Sequence, residues 1–175
     1  MTDIALILSA AHFSAEKHRR QRRKDVDASP YINHPLALAK VLSNEGGVQD
    51  AATLCAALLH DTLEDTQTTA QELEEHFGAE IAAIVMEVTD DKDLDKAVRK
   101  QLQIEHAAKI SPKAKLVKLA DKISNLRDIA SSPPADWDLP RKQAYFNWAK
   151  QVVDQLRGVN PKLEAVFDLA FSAKS

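Results

Sequence analysis

Two side chains that can share a cation stand together at the end of an apolar run. His60 and Asp61 follow AATLCAALL, residues 51–59. That run is apolar nearly all round and predicts a buried helix over 51–63. An imidazole and a carboxylate at the end of a buried helix need a partner, because isolated buried charge is costly. A divalent metal suits them, since nitrogen and carboxylate oxygen together favour manganese, iron or zinc. Glu64 and Asp65 come next, in HDTLEDT. At about 100° per residue, a continued helix would place Glu64 about 40° from His60, and Asp65 about 40° from Asp61. Four groups able to bind metal or move protons would then share one sector.

Two further candidate ligands lie apart in sequence. His34 sits in PYINHP, just before Pro35, a proline suited to a first helical turn. Asp121 sits in KLADKISNLR. On that segment Leu116, Leu119, Ile123 and Leu126 form an apolar stripe. Asp121 falls opposite it, with Lys118 and Asn125 close by, and spacing alone makes this a solvated face. The stretch KHRRQRRK, residues 17–24, holds six cations in eight residues. A solvated helix end or a nucleic-acid patch would each account for it. Tyr31, Phe77, Phe146 and Trp148 read as core aromatics. His12, His18, His76 and His106 read as structural or surface residues, and Cys55 as a small buried apolar group.

The elements that must position these residues are helical. Helical periodicity dominates, alternating strand patterns are absent, and the four glycines and seven prolines fall mostly between periodic segments. Helices are expected from Asp3 to about Arg20, from Pro35 to Gly46, over 51–63, and from a Thr69/Glu72 capping box to Gly78. Others follow over 79–88, 95–108, 113–129, 141–156 and 161–173. Ser111-Pro112 offers a cap followed by a first-turn proline. The expected fold class is all-α, a compact single-domain bundle of about eight helices over residues 1–175. A net charge of −3 argues against nucleic acid bound along the whole surface. One cysteine fits a reducing compartment, and no apolar run approaches the ~18 residues of a membrane span, so a cytoplasmic location is expected. No motif specifies an oligomeric state.

In combination, His34, His60-Asp61 and Asp121 resemble the HD-domain metal-dependent phosphohydrolases. RRKDVDASPYINHP, AALLHDTLEDT, HFGAEI, EVTDDK, AKLVKLADKISNLRD and YFNWAKQVV are similar to the small alarmone hydrolases of the RelA/SpoT group, of the stand-alone metazoan SpoT-homologue type. The likeness runs from about Ala10 to Val153 in the right order. HDTLEDT together with KLADKISNLR is its most specific part.

The resemblance implies one Mn²⁺ held by His34, His60, Asp61 and Asp121, with Glu64 and Asp65 activating or positioning the attacking water. It implies guanosine tetra- or pentaphosphate, (p)ppGpp, as substrate, cleaved at the 3′ ester to give pyrophosphate and GDP or GTP. Arg23, Lys24, Asn125 and Tyr145 match family residues near the nucleotide, and Lys96, Arg99 and Lys142 are candidate diphosphate contacts. The long bifunctional members carry a synthetase domain, so a chain of this span is expected to degrade the alarmone without making it. Two alternatives stay open at this point. One is an NADPH 2′-phosphatase or other nucleotide phosphohydrolase using the same site; the other is a non-enzymatic nucleotide-binding module.

Overall fold

A computed structural model describes residues 1–174 of the chain. Among these residues the regular structure is helical, as the periodicity requires. Ten α-helices run in order: α1 Asp3–Lys17, α2 Asn33–Lys40, α3 Ala51–Leu59, α4 Thr62–Asp65, α5 Ala70–Phe77, α6 Ala79–Val88, α7 Lys96–Ala107, α8 Pro112–Ser131, α9 Leu139–Asp154 and α10 Pro161–Ser172. The expected count of about eight rises because short helical segments form where one longer helix was expected.

Side-chain caps fix the starts. Thr2, Asp50, Thr69, Ser111, Asp138 and Asn160 each accept a backbone N–H from the first turn of α1, α3, α5, α8, α9 and α10. The Thr69/Glu72 capping box is half formed. Thr69 accepts the Glu72 N–H, but the Glu72 carboxylate turns to Lys17 at 2.7 Å, tying α5 to α1.

Helix α3 is the centre of the bundle. Thr53–Leu59 are all buried, and α1, α2, α6 and α8 pack around them. Removing a fully buried leucine such as Leu59 from water contributes roughly 1.5–3 kcal/mol. The helix ends at Leu59, earlier than expected. The Thr62 hydroxyl donates to the Leu59 carbonyl at 2.7 Å, and Asp61 relaxes to φ −98°, ψ 0°. A turn at His60-Asp61 therefore separates α3 from α4.

Helix α2 runs into one π-helical turn, Val41–Glu45, and stops at Gly46. A Cβ at Gly46 would lie 2.7 Å from the Leu42 carbonyl and 2.8 Å from Leu163 Cγ, so the chain crosses α10 only because this residue has no side chain.

The loop between α1 and α2 is also ordered by hydrogen bonds. Arg23 N–H donates to Ser29 O at 2.8 Å and Tyr31 N–H to Gln21 O at 3.2 Å, around an isolated antiparallel bridge between Arg22 and Pro30. The expected extension of the first helix to Arg20 is replaced by a turn after Lys17. That turn lets the basic stretch fold back over the end of α3.

Candidate active site

The turn after α3, the start of α2 and the middle of α8 meet at one point. His34 and Asp121 approach through Nε2 and Oδ1 at 3.1 Å, and His60 Nε2 lies 3.0 Å from Asp61 Oδ2. The cross distances, His34 Nε2 to Asp61 Oδ2 and His60 Nε2 to Asp121 Oδ1, are both 3.9 Å. Ligand atoms of His34, His60 and Asp121 all lie within 4.8 Å of one another. The structure thus brings together the four residues expected to bind metal.

The donor set fits a cation. The Ala57 carbonyl can only accept, so His60 Nδ1, at 2.8 Å, carries the hydrogen. That leaves His60 Nε2 buried and facing carboxylate oxygens, so the site calls for positive charge at that nitrogen, a proton when no metal is bound. Lone pairs and anionic oxygens converging in a buried space repel one another unless a positive centre sits between them. The titration of these groups points the same way. Burial disfavours the His60 imidazolium, yet Asp61 and then Asp121 overcome it and raise its pKa to about 9. Burial also opposes ionisation of the two aspartates. His60 nonetheless holds Asp61 below the usual carboxylate range, and Lys122 and His34 do the same for Asp121. A divalent ion is the natural occupant of such a set.

Outer contacts orient the carboxylates. Tyr31 donates its hydroxyl to Asp61 Oδ2, the oxygen nearest the imidazoles. Asp121 accepts from Asn125 Nδ2 at 2.8 Å and from Lys122 Nζ at 3.0 Å. Such second contacts fix both the geometry and the basicity of a ligand.

Glu64 and Asp65 stand beside this cluster but differ in environment. Asp65 pairs with Lys92 and accepts from Gln21 Nε2 at 3.2 Å, which ties both its oxygens. Glu64 accepts a single backbone hydrogen bond, from Asp90 N–H at 2.8 Å. Burial, with Asp61, Asp90 and Asp65 adding to it, raises the Glu64 carboxyl to about 7. A carboxyl of that acidity, close to a cation site, is equipped to take a proton from water near neutral pH.

His34, His60, Asp61, Asp121, Tyr31, Glu64 and Asp65 line a cleft of about 290 Å³ that also holds Lys96, Arg99, Asn125 and Tyr145. It joins a neighbouring hollow of about 680 Å³ through Arg23, Tyr31, His34, Asp65, Asn125 and Tyr145. Lys24, Asp128 and Trp137 line that second lobe. Arg23 forks across the boundary, with its guanidinium 5.8 Å from the Tyr31 ring and 2.6 Å from Asp128.

A family model for the HD domain matches residues 10–145. The chain belongs to the HD-domain family. Among curated relatives, a Xenopus tropicalis protein named guanosine-3′,5′-bis(diphosphate) 3′-pyrophosphohydrolase MESH1 is 59% identical over 170 residues, covering 97% of this chain and 95% of the relative. The Homo sapiens protein of the same name is 53% identical over 173 residues, covering 99% and 97%. A solved structure described as a metazoan ortholog of SpoT that hydrolyzes ppGpp matches with TM-score 0.93 and 48% identity, over 96% of this chain and 94% of that one.

Within this HD-domain chain, several expectations need correcting. The α8 face carrying Lys118, Asp121 and Asn125 is not solvated. Lys118 and Lys122 are 8% and 3% exposed, and all of these residues line the cleft, to which α7 and α9 also contribute. Tyr31 and Trp148 line the cleft rather than a sealed core. His18 is buried, with Nδ1 2.7 Å from Gln21 Oε1, and so backs the Gln21–Asp65 contact. Lys142 lies elsewhere, in a small hollow with Ile129, Phe146 and Lys174. On α9 it shares a face with Phe146, four residues on, whereas Tyr145 and Trp148 point to the cleft. The HD-domain cleft also holds Lys100, Lys118 and Lys122, which sequence reasoning did not select. A lysine stripe on an isolated helix looks solvated, and only the packing of α7 and α9 reveals otherwise.

Proposed function

We propose that this protein is a metal-dependent phosphohydrolase that cleaves (p)ppGpp at its 3′-diphosphate, releasing pyrophosphate and GDP or GTP. The observation that carries the reading is the convergence of His34, His60, Asp61 and Asp121 beside Glu64, in a cleft that also carries six lysines and arginines. The substrate comes from relatives named for that reaction, which match nearly the whole chain. The whole chain acts in this reading as one HD-domain unit. No described helix is long and apolar enough to cross a membrane, and a cytoplasmic site of action belongs to the proposal.

His34, His60, Asp61 and Asp121 would hold one divalent cation, Mn²⁺ in this proposal. When bound, the cation supplies Lewis-acid chemistry, acidifying water and offsetting charge on the phosphoryl oxygens. The protein's own groups do the rest. Glu64 receives the proton of the attacking water at its carboxylate. Asp65, held by Lys92 and Gln21, keeps the turn of α4 in place beside it. The oxygen of water joins phosphorus, the ribose 3′-oxygen leaves and takes a proton, and pyrophosphate departs. Lys96 and Arg99 face the phosphates. Arg23, Lys24, Asn125 and Tyr145 receive the nucleoside in the wider lobe, where a guanidinium can stack on a base or fork to a phosphate.

The test is one assay of purified, Mn²⁺-loaded protein on ppGpp, pppGpp and NADPH side by side. Turnover of both alarmones to pyrophosphate, stopped by EDTA, is expected. Metal-replete protein that leaves ppGpp intact while releasing phosphate from NADPH would overturn the substrate assignment.

A further inference from the structure

From the metal cluster the cleft extends in two directions, and the direction away from the nucleoside lobe is crowded with positive charge. Lys96, Arg99 and Lys100 on α7 face Lys118 and Lys122 on α8. Lys122 is committed to Asp121 at 3.0 Å. Among the described residues, Lys96, Arg99 and Lys100 have no carboxylate within 4 Å. Lys118 has only Asp90, at 3.9 Å, and no hydrogen bond.

Lys118 is the more demanding case. Its side chain is 10% exposed, and its ion pair with Asp90 is long and without a hydrogen bond. Lys100 sits over the Trp148 ring at 4.8 Å and near Tyr145 at 5.8 Å. The Trp148 indole N–H donates to the Lys100 carbonyl at 3.0 Å, which pins α7 to α9 and keeps that ammonium in the lobe. Burial first, and then neighbouring lysines, lower the pKa of both Lys118 and Lys100, as expected of positive charge with too few anions near it. Asp90 cannot supply the balance alone, since it also accepts from Gln103.

The cation cluster and Glu64 account for one phosphate, the one attacked. A second phosphate linked to it would enter this lobe and meet the uncompensated ammonium groups. We propose that Lys100 and Lys118 form a seat for the distal phosphate of a diphosphate, so that the cleft favours two linked phosphates over one. The inference rests on the reading of the cleft as a 3′-diphosphate hydrolase, and it adds residues that set its specificity.

Calorimetric titration of Mn²⁺-loaded protein with pyrophosphate and, separately, with orthophosphate tests the seat without turnover. Wild-type protein should prefer pyrophosphate. Lys100→Met, at a half-exposed position, and Lys118→Met, whose apolar side chain suits a buried one, should each weaken pyrophosphate binding about tenfold or more, the worth of a charge-assisted hydrogen bond. Orthophosphate binding and Mn²⁺ content should stay near wild type. Equal loss for both anions, or no loss for pyrophosphate, would overturn the seat. Wild-type failure to turn over ppGpp would instead count against the proposed function, and the titration would still read the seat directly.

Discussion

The Tyr31 hydroxyl donates to Asp61 Oδ2, the same oxygen that lies 3.0 Å from His60 Nε2. A residue in the basic loop therefore steadies a ligand supplied by the turn after α3. Tyr31→Phe keeps the ring, which lies tilted against His18 at 4.8 Å between centroids, and removes only the donor. Metal affinity should fall by about 10–100-fold, the usual cost of losing such an outer contact, and activity should return at high Mn²⁺. Wild-type metal affinity in this variant would show that the hydroxyl does not orient Asp61.

Asp121 is held from three sides, by His34, Asn125 and Lys122. Asp121→Ala should lose bound metal and activity together, measured by metal analysis and ppGpp turnover. A variant that keeps its metal yet loses turnover would assign Asp121 to catalysis rather than to binding the ion.

Glu64 gives a pH dependence of definite sign. Its carboxyl is raised to about 7, chiefly by burial, and a base acts only when deprotonated. A bound cation favours the carboxylate and moves this titration lower, so kcat/KM should rise with pH on the acid side of neutrality. Glu64→Gln should keep metal, lose roughly 10²–10⁴ in rate and flatten that limb. In cation-free protein the same shift acts on stability. The folded state holds this proton more tightly than the unfolded chain, so stability falls as pH rises from 4.5 towards about 7. Denaturant midpoints taken across that window check the sign.

Arg23 reaches the boundary of the two lobes and pairs with Asp128 at 2.6 Å. Arg23→Ala should mainly raise KM for ppGpp and leave kcat close to wild type, because in the proposed function the residue would touch the nucleotide and not the reacting phosphorus. An unchanged KM would remove it from the substrate site.

Gly46 tests the scaffold apart from the site. A methyl there meets the Leu42 carbonyl at 2.7 Å and Leu163 at 2.8 Å. Gly46→Ala should cost about 1–3 kcal/mol by overpacking, read as a lowered denaturant midpoint, with activity per folded molecule retained.

The all-α class and the helix starts were legible because caps and first-turn prolines are local signals, as at Ser111-Pro112. His60-Asp61 stood out because its helix is apolar on every side. Asp121 and Lys118 were different: Asp121 is enclosed by His34 and the His60 turn, and Lys118 lies against residues of α6 and α7, neighbours that the periodicity of α8 alone does not show. Tyr31 looked like core because a ring alone does not reveal where its hydroxyl points. Lys142 was legible as a cation, but its direction depends on how α9 packs against α7 and α8. The break at Leu59 escaped periodicity because it is made by one hydroxyl, that of Thr62.

Helix α8 carries one residue for each part of the cleft: Lys118 among the lysines and arginine of the inner end, Asp121 in the His/Asp cluster and Asn125 where the cleft opens into the wider lobe. Seven residues separate the first from the last, a rise of about 10.5 Å along a rigid axis. In the proposed function the helix would work as a ruler laid along the substrate, graduated in helical turns. One residue inserted between Lys118 and Asn125 would shift the marks by about 1.5 Å and rotate them by about 100°. Such a change would uncouple recognition from cleavage even though every functional side chain were still present.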